Sequence, residues 1–307
     1  MKKAVIFLAM FFLFEATYAQ IADQEKKLRT QQTDSIEGWK KGGVINLNTA
    51  QTSLTNWAAG GQSSVAIGGL VSLLANLKKD NGLWENYLDL GYGTMKQGKK
   101  TGWRKTDDKI DFTSKYGHRF SEHMYFAGLL NFKTQITPGY NYPNDSMKIS
   151  DFMAPGYLLG ALGIDYRPAD DFTVFVAPFT GKFTFVTDQK LADAGAFGVD
   201  PGKNTYSEFG AYLRLFLKKG LMENIVFQTR LDLFSNYLHN PQNIDVSWET
   251  LLSMKINKFF SATISTHMLY DDDIVIAVDK NDDGITDEAG PRIQFKEVLA
   301  IGFSYAF

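Results

Sequence analysis

The sequence predicts an all-β fold, a transmembrane antiparallel up-and-down β-barrel of about twelve strands. Three observations carry that expectation. The final stretch alternates strictly: Phe295, Glu297, Leu299, Ile301, Phe303, Tyr305 and Phe307 share one parity, and Lys296, Val298, Ala300, Gly302, Ser304 and Ala306 the other. Bulk lies on one face of a two-residue period and small or polar groups on the opposite face. In water the bulky face would need a partner sheet, whereas lipid serves around a closed barrel. Strand length is the second observation. The alternating segments run to about eleven to sixteen residues, beyond the globular mode of about five or six and enough for the roughly nine to eleven that a tilted strand spends in hydrocarbon. Third, short and long connections alternate, as they do where periplasmic turns are short and extracellular loops long. An edge strand of a secreted sandwich explains the first observation alone.

The chain opens with a secretory signal. Lys2 and Lys3 precede the apolar run Ala4–Phe14, and Thr17-Tyr18-Ala19 is a small-x-small cleavage site. The apolar run is too short for a transmembrane helix. The domain organisation is therefore residues 1–19 as signal peptide, 20–40 as a polar periplasmic extension and 41–307 as the barrel, placed in the bacterial outer membrane.

Strands are expected near Gly43–Thr52, Ser63–Leu77, Leu83–Met95, Asp108–Phe120 and Glu122–Gln135, each with bulky residues on one parity. Tyr157–Arg167 and Phe172–Thr187 follow, and Pro178 predicts a bulge in the second of them, because proline removes a ladder donor. Ser207–Lys218, Ile225–Leu238, the segment from Ile244 to Ile256, Phe259–Asp271 and the closing strand complete the set. Short connections fall at Lys78–Gly82, Phe120–Ser121, Pro168–Asp171, Lys219–Met222 and Asn257–Lys258. The others, apart from the brief His239–Asn243, are longer, among them Ile136–Gly156, Asp188–Tyr206 and Asp272–Pro291.

Composition narrows the function classes. The 307 residues are 44% hydrophobic and 14% aromatic with a net charge of -2, so no basic surface marks a nucleic-acid partner. There is no cysteine, hence no disulfide framework, thiolate metal site or thiol nucleophile. The parity opposite the bulky face must line the barrel interior. It carries Glu85, Asp89, Lys109, Asp111, Lys115, Arg119, Lys133, Asp165, Arg167, Lys182, Glu208, Arg214, Arg230, Asp232, Asp245, Glu249 and Lys255. Both signs are interleaved, which fits a structural ion-pair network better than a selectivity ring.

One loop suggests a metal. Asp279, Asn281, Asp283 and Gly284 fit D-x-N-x-D-G, with Asp287 at the ninth position, so alternate oxygen ligands could take calcium in an extracellular loop. Gly290 stands where an EF-hand has its bidentate Glu, and a solvated acidic loop is the competing reading. No other cofactor is expected. No catalytic residues are assigned and the chain is not read as an enzyme. Ser114 and His118 share a face, but Tyr116 lies between them and no third partner is evident.

Four stretches, Gly42–Ser64, Asp151–Pro168, Val176–Gly202 and Ile293–Phe307, resemble an uncharacterised family of Bacteroidota outer-membrane β-barrel proteins, domain of unknown function family 3078. The resemblance runs from about Trp39 to Phe307 and implies such a barrel, without an activity or site residues. The functional expectation is a narrow pore for small polar solutes. Its alternative is a non-conducting barrel that is a structural or partner-binding component of an outer-membrane complex, and a weaker one is an outer-membrane hydrolase. Expected partners are outer-membrane lipid, the barrel assembly machinery through the closing strand and envelope proteins.

Overall fold

The structure is a computed structural model that describes residues 37–55, 62–98, 101–142, 145–257, 259–278 and 287–307. The signal peptide, the 20–36 part of the extension and the 279–286 part of the acidic loop lie outside the described residues.

The strands in chain order are β1 (Gly38–Thr52), β2 (Ser64–Lys79), β3 (Gly82–Gln97), β4 (Arg104–Arg119), β5 (Met124–Thr134), β6 (Gly139–Tyr140), β7 (Lys148–Ser150), β8 (Gly156–Ala169) and β9 (Phe172–Phe185). After the one-turn helix α1 (Gln189–Asp193) come β10 (Thr205–Met222), β11 (Ile225–Asn236), β12 (Ile244–Lys255), β13 (Phe260–Tyr270), β14 (Val275–Val278), β15 (Glu288–Pro291) and β16 (Gln294–Ala306). Twelve of them close a barrel in the order β1-β16-β13-β12-β11-β10-β9-β8-β5-β4-β3-β2, while β6-β7 and β14-β15 are separate hairpins. Neighbours are antiparallel throughout. The fold is the transmembrane up-and-down barrel that the alternation predicts.

Closure joins the two ends of the chain. Val44 faces Ala306 and Asn48 faces Gly302, and below them Gly43 and Phe307 exchange two main-chain hydrogen bonds, each 3.0 Å. Outward residues form an exposed apolar belt. Aromatic pairs edge it at the short-turn end, with ring centroids 5.9 Å apart for Trp39 and Trp84, 4.2 Å for Phe120 and Phe126, and 5.8 Å for Phe259 and Phe303. Phe209 and Tyr237, 5.9 Å apart, mark the long-loop end. Aromatic rings at both edges are the girdles of a membrane barrel.

Several boundaries move. β1 starts at Gly38, with Trp39 at the edge of the belt, and β4 at Arg104, where polar residues extend the strand without a hydrophobic period. The Lys219–Met222 stretch is strand rather than turn: β10 runs to Met222 through a register shift after Gly220. The bulge at Pro178 is present. Leu162 faces Phe179 and Ile164 faces Val176, so Ala177 and Pro178 together oppose Gly163. A side chain at Gly163 would collide with the Val176 carbonyl, which fixes glycine there.

Candidate functional site: the lumen and its loop cap

Inward parity fills the lumen with charge, arranged in three tiers. Nearest the short turns, Arg167 on β8 donates from Nε to Asp165 (2.6 Å) and from Nη1 to Glu85 of β3 (3.1 Å), with Nη2 also on Glu85. Lys115 of β4 closes that tier at 3.0 Å from Asp165 and 3.6 Å from Glu85. All four side chains are buried.

The middle tier spans the barrel. Arg230 on β11 reaches Asp111 on β4 at 3.0 Å and Glu249 on β12 at 2.5 Å. Lys109 on β4 lies 3.4 Å from Glu249. Around the ring β4 and β12 stand on opposite sides. The Arg230–Asp111 and Lys109–Glu249 bridges therefore cross the lumen, whereas Arg230 and Glu249 face each other on neighbouring strands. Asp232, held by Arg214 at 2.6 Å and by the Tyr212 hydroxyl at 2.7 Å, and Asn131, which donates to Asp111 at 2.7 Å, complete the tier. His267 lies beside it, Nε2 3.1 Å from Ser247 Oγ and 3.8 Å from Glu249. At the long-loop mouth Lys182 sits among Asp245 (2.7 Å), Glu208 (3.1 Å) and Asp271 (3.2 Å).

Above the mouth two long loops fold into a cap. Ala154 from the β5–β8 loop packs with Val186, Leu191, Ala192 and Val199 from the β9–β10 loop in a small apolar core. Asp188 caps α1 by accepting from the amides of Lys190 (3.0 Å) and Leu191 (3.1 Å). Lys148 of β7 ties the two loops, 2.5 Å from Asp151 and 2.8 Å from Asp188. That hydrogen bond from Lys148, with those from the Leu191 and Lys190 amides, holds the Asp188 carboxyl below the usual carboxylate range. Hydrogen bonds to Asp151 and Asp188 push the Lys148 ammonium up. The Tyr206 hydroxyl, 3.5 Å from Asp273, ties the β13–β16 loop to the cap side.

Residues 49–140 match the family described as "Protein of unknown function (DUF3078)". No curated protein matches the chain. Among solved structures, an outer-membrane channel from Pseudomonas putida F1 is 11% identical with a TM-score of 0.40, covering 89% of this chain and 97% of its own. The translocator domain of the autotransporter NalP from Neisseria meningitidis is 11% identical with a TM-score of 0.36, over 94% of each chain. The NanC porin is 8% identical with a TM-score of 0.38, over 85% of this chain and 98% of that one.

The lumenal assignment made from parity brings most of the named charges together. Arg119 departs from it: its guanidinium meets Asn81 of the β2–β3 turn at 3.4 Å, because β4 has left the lumen there. Ser114 and His118 form no couple. Ser114 accepts from Trp84 Nε1 (2.9 Å) and donates to Asn86 (2.8 Å), so its hydroxyl is engaged on the outer face. Of the calcium set, Asp279, Asn281 and Asp283 lie outside the described residues, and Asp287 is exposed just before β15. Sequence reasoning missed the cap tether of Lys148 and Asp188; the only local signal was an Asp preceding Gln189-Lys190-Leu191.

Proposed function

We propose that this chain is an integral barrel of a bacterial outer membrane, of the Bacteroidota kind, whose lumen is held shut along its axis. In this reading it is a non-conducting structural or partner-binding component rather than a narrow pore for polar solutes. The observation that supports it is the middle tier, where Arg230 joins Asp111 and Lys109 joins Glu249 across the barrel. Barrels between about eight strands, which fill with side chains, and about sixteen, which leave a channel, conduct only if long side chains stand aside. Here they are drawn together by partners of opposite charge, and the Arg167 tier lies beneath as a second closure. The cap offers an extracellular surface for a partner. Refolded protein that shows the heat-modifiable gel shift of an inserted barrel is expected to give no steady current in planar bilayers. A steady open-channel current from the unmodified chain would sink this reading and restore the pore.

A further inference from the structure

In lipid a barrel satisfies its backbone strand by strand, and one seam of this barrel does so over only part of its length. β16 pairs with β13 from Gln294 to Phe303, and β1 pairs with β2 from Gly38 to Thr52. With each other they pair only from Val44–Ala306 to Asn48–Gly302. Continued in that register, Gln51 would oppose Leu299, but among the described residues the ladder has ended.

The wall inside this seam differs from the wall opposite. Inward parity brings Asn48 and Ala50 of β1, Val298 and Ala300 of β16 and Ser265 of β13 to it, and these are half-buried or exposed. They are small and uncharged, while the opposite wall carries the buried ion pairs. Short side chains beside a filled wall leave a crevice. Open backbone at membrane depth is tolerated where it lines a water-filled cavity, a condition that this crevice would have to meet. It is blind toward the short turns, where Val44, 2% exposed, packs on Leu74.

We propose that the β1–β16 seam is a lateral portal for an amphiphile, which seats its polar headgroup in the crevice and passes its acyl chain between the parted strands into the bilayer. The outer rim suits both halves of such a molecule. Leu47, Leu299 and Ile301 give the chain an apolar exit, and the outward parity of Thr49, Gln51 and Glu297 gives the headgroup polar groups to pass. An inserted polypeptide strand would satisfy the open edges, but it would not require a small, uncharged wall behind them.

The chain has no cysteine, so introduced ones report single positions. Full-length protein with Ala300→Cys, or Val298→Cys should the first fail to fold, is labelled with a fluorophore and refolded into phosphatidylcholine vesicles. Phosphatidylcholine spin-labelled near its acyl terminus, or on its headgroup, is expected to quench the label. In the double variants, Ile45→Cys/Tyr305→Cys is expected to form its disulfide in the membrane and Gln51→Cys/Leu299→Cys is not. A label quenched by neither lipid, a Gln51/Leu299 disulfide as complete as the Ile45/Tyr305 one, or a polypeptide cross-linked at position 51 beside an unquenched label would each overturn the portal. The inference rests on membrane insertion but not on axial closure. A barrel that conducts and still quenches would refute the proposed function and leave the portal standing.

Discussion

Arg167 shows what a single lumenal residue does. Its guanidinium is buried between Asp165 and Glu85, which lie on different strands, and engages both through separate nitrogens. A planar fork suits that geometry where a lysine would not. Desolvating such groups is expensive, so the cluster contributes less by existing than the loss of one member costs. Arg167→Met would leave two buried carboxylates with only Lys115 between them. It should cost about 3–5 kcal/mol, the range for breaking a buried ion pair by deleting one partner. Adding Glu85→Gln to that variant should recover much of the loss, because it leaves Lys115 paired one to one with Asp165. Urea midpoints of the refolded proteins in the same detergent check both statements, and a single variant as stable as the parent would refute them.

Among the elements, the twelve barrel strands were legible because lipid on one side and a polar lumen on the other impose strict parity, as the Ile244–Lys255 strand shows. Pro178 announced its bulge for the same local reason. The β6–β7 and β14–β15 hairpins were not legible. They are two to four residues per arm, too short for any period to register. Parity also places Asp111, Arg230 and Glu249 inside but cannot say that they meet, since that depends on how far each strand is staggered around the ring.

The cap tether makes a pH prediction at this scale. The Asp188 carboxyl is held below its ordinary value of 3.8, so its contribution is present above that value and is lost as pH falls through the folded one. Lys148 is raised above 10.5, so its contribution is present below that value and lost only in strong alkali. The cap should therefore hold unchanged through neutrality and loosen in acid. Hydrogen-exchange mass spectrometry of the Gln189–Gly202 stretch should show protection falling below about pH 4, the carboxylate range, while Asp188→Asn, with no charge to lose, exchanges faster at neutral pH with little further change. Protection unaltered by acid in the parent chain would remove the tether from the account.

At the scale of the whole molecule, closure depends on the last residue of the described chain. The β1–β16 ladder spans five facing pairs, against ten or more in the neighbouring β13–β16 and β1–β2 ladders, so each of its hydrogen bonds is a larger share of the seam. Phe307 adds two more through its main chain to Gly43 and stacks its ring on Tyr305 at 6.2 Å. Those two roles separate by mutation. Phe307→Ala keeps the amide and carbonyl while losing the ring, and deletion of Phe307 loses both. If the main chain closes the ring of strands, the deletion should lower the urea midpoint of refolded protein clearly more than Phe307→Ala does. If the aromatic ending is what assembly machinery reads, both variants should insert poorly in cells, and by similar amounts. Equal midpoints for the two variants would show that the main-chain pair adds nothing measurable to closure, and normal insertion of the deletion would remove the aromatic ending from assembly.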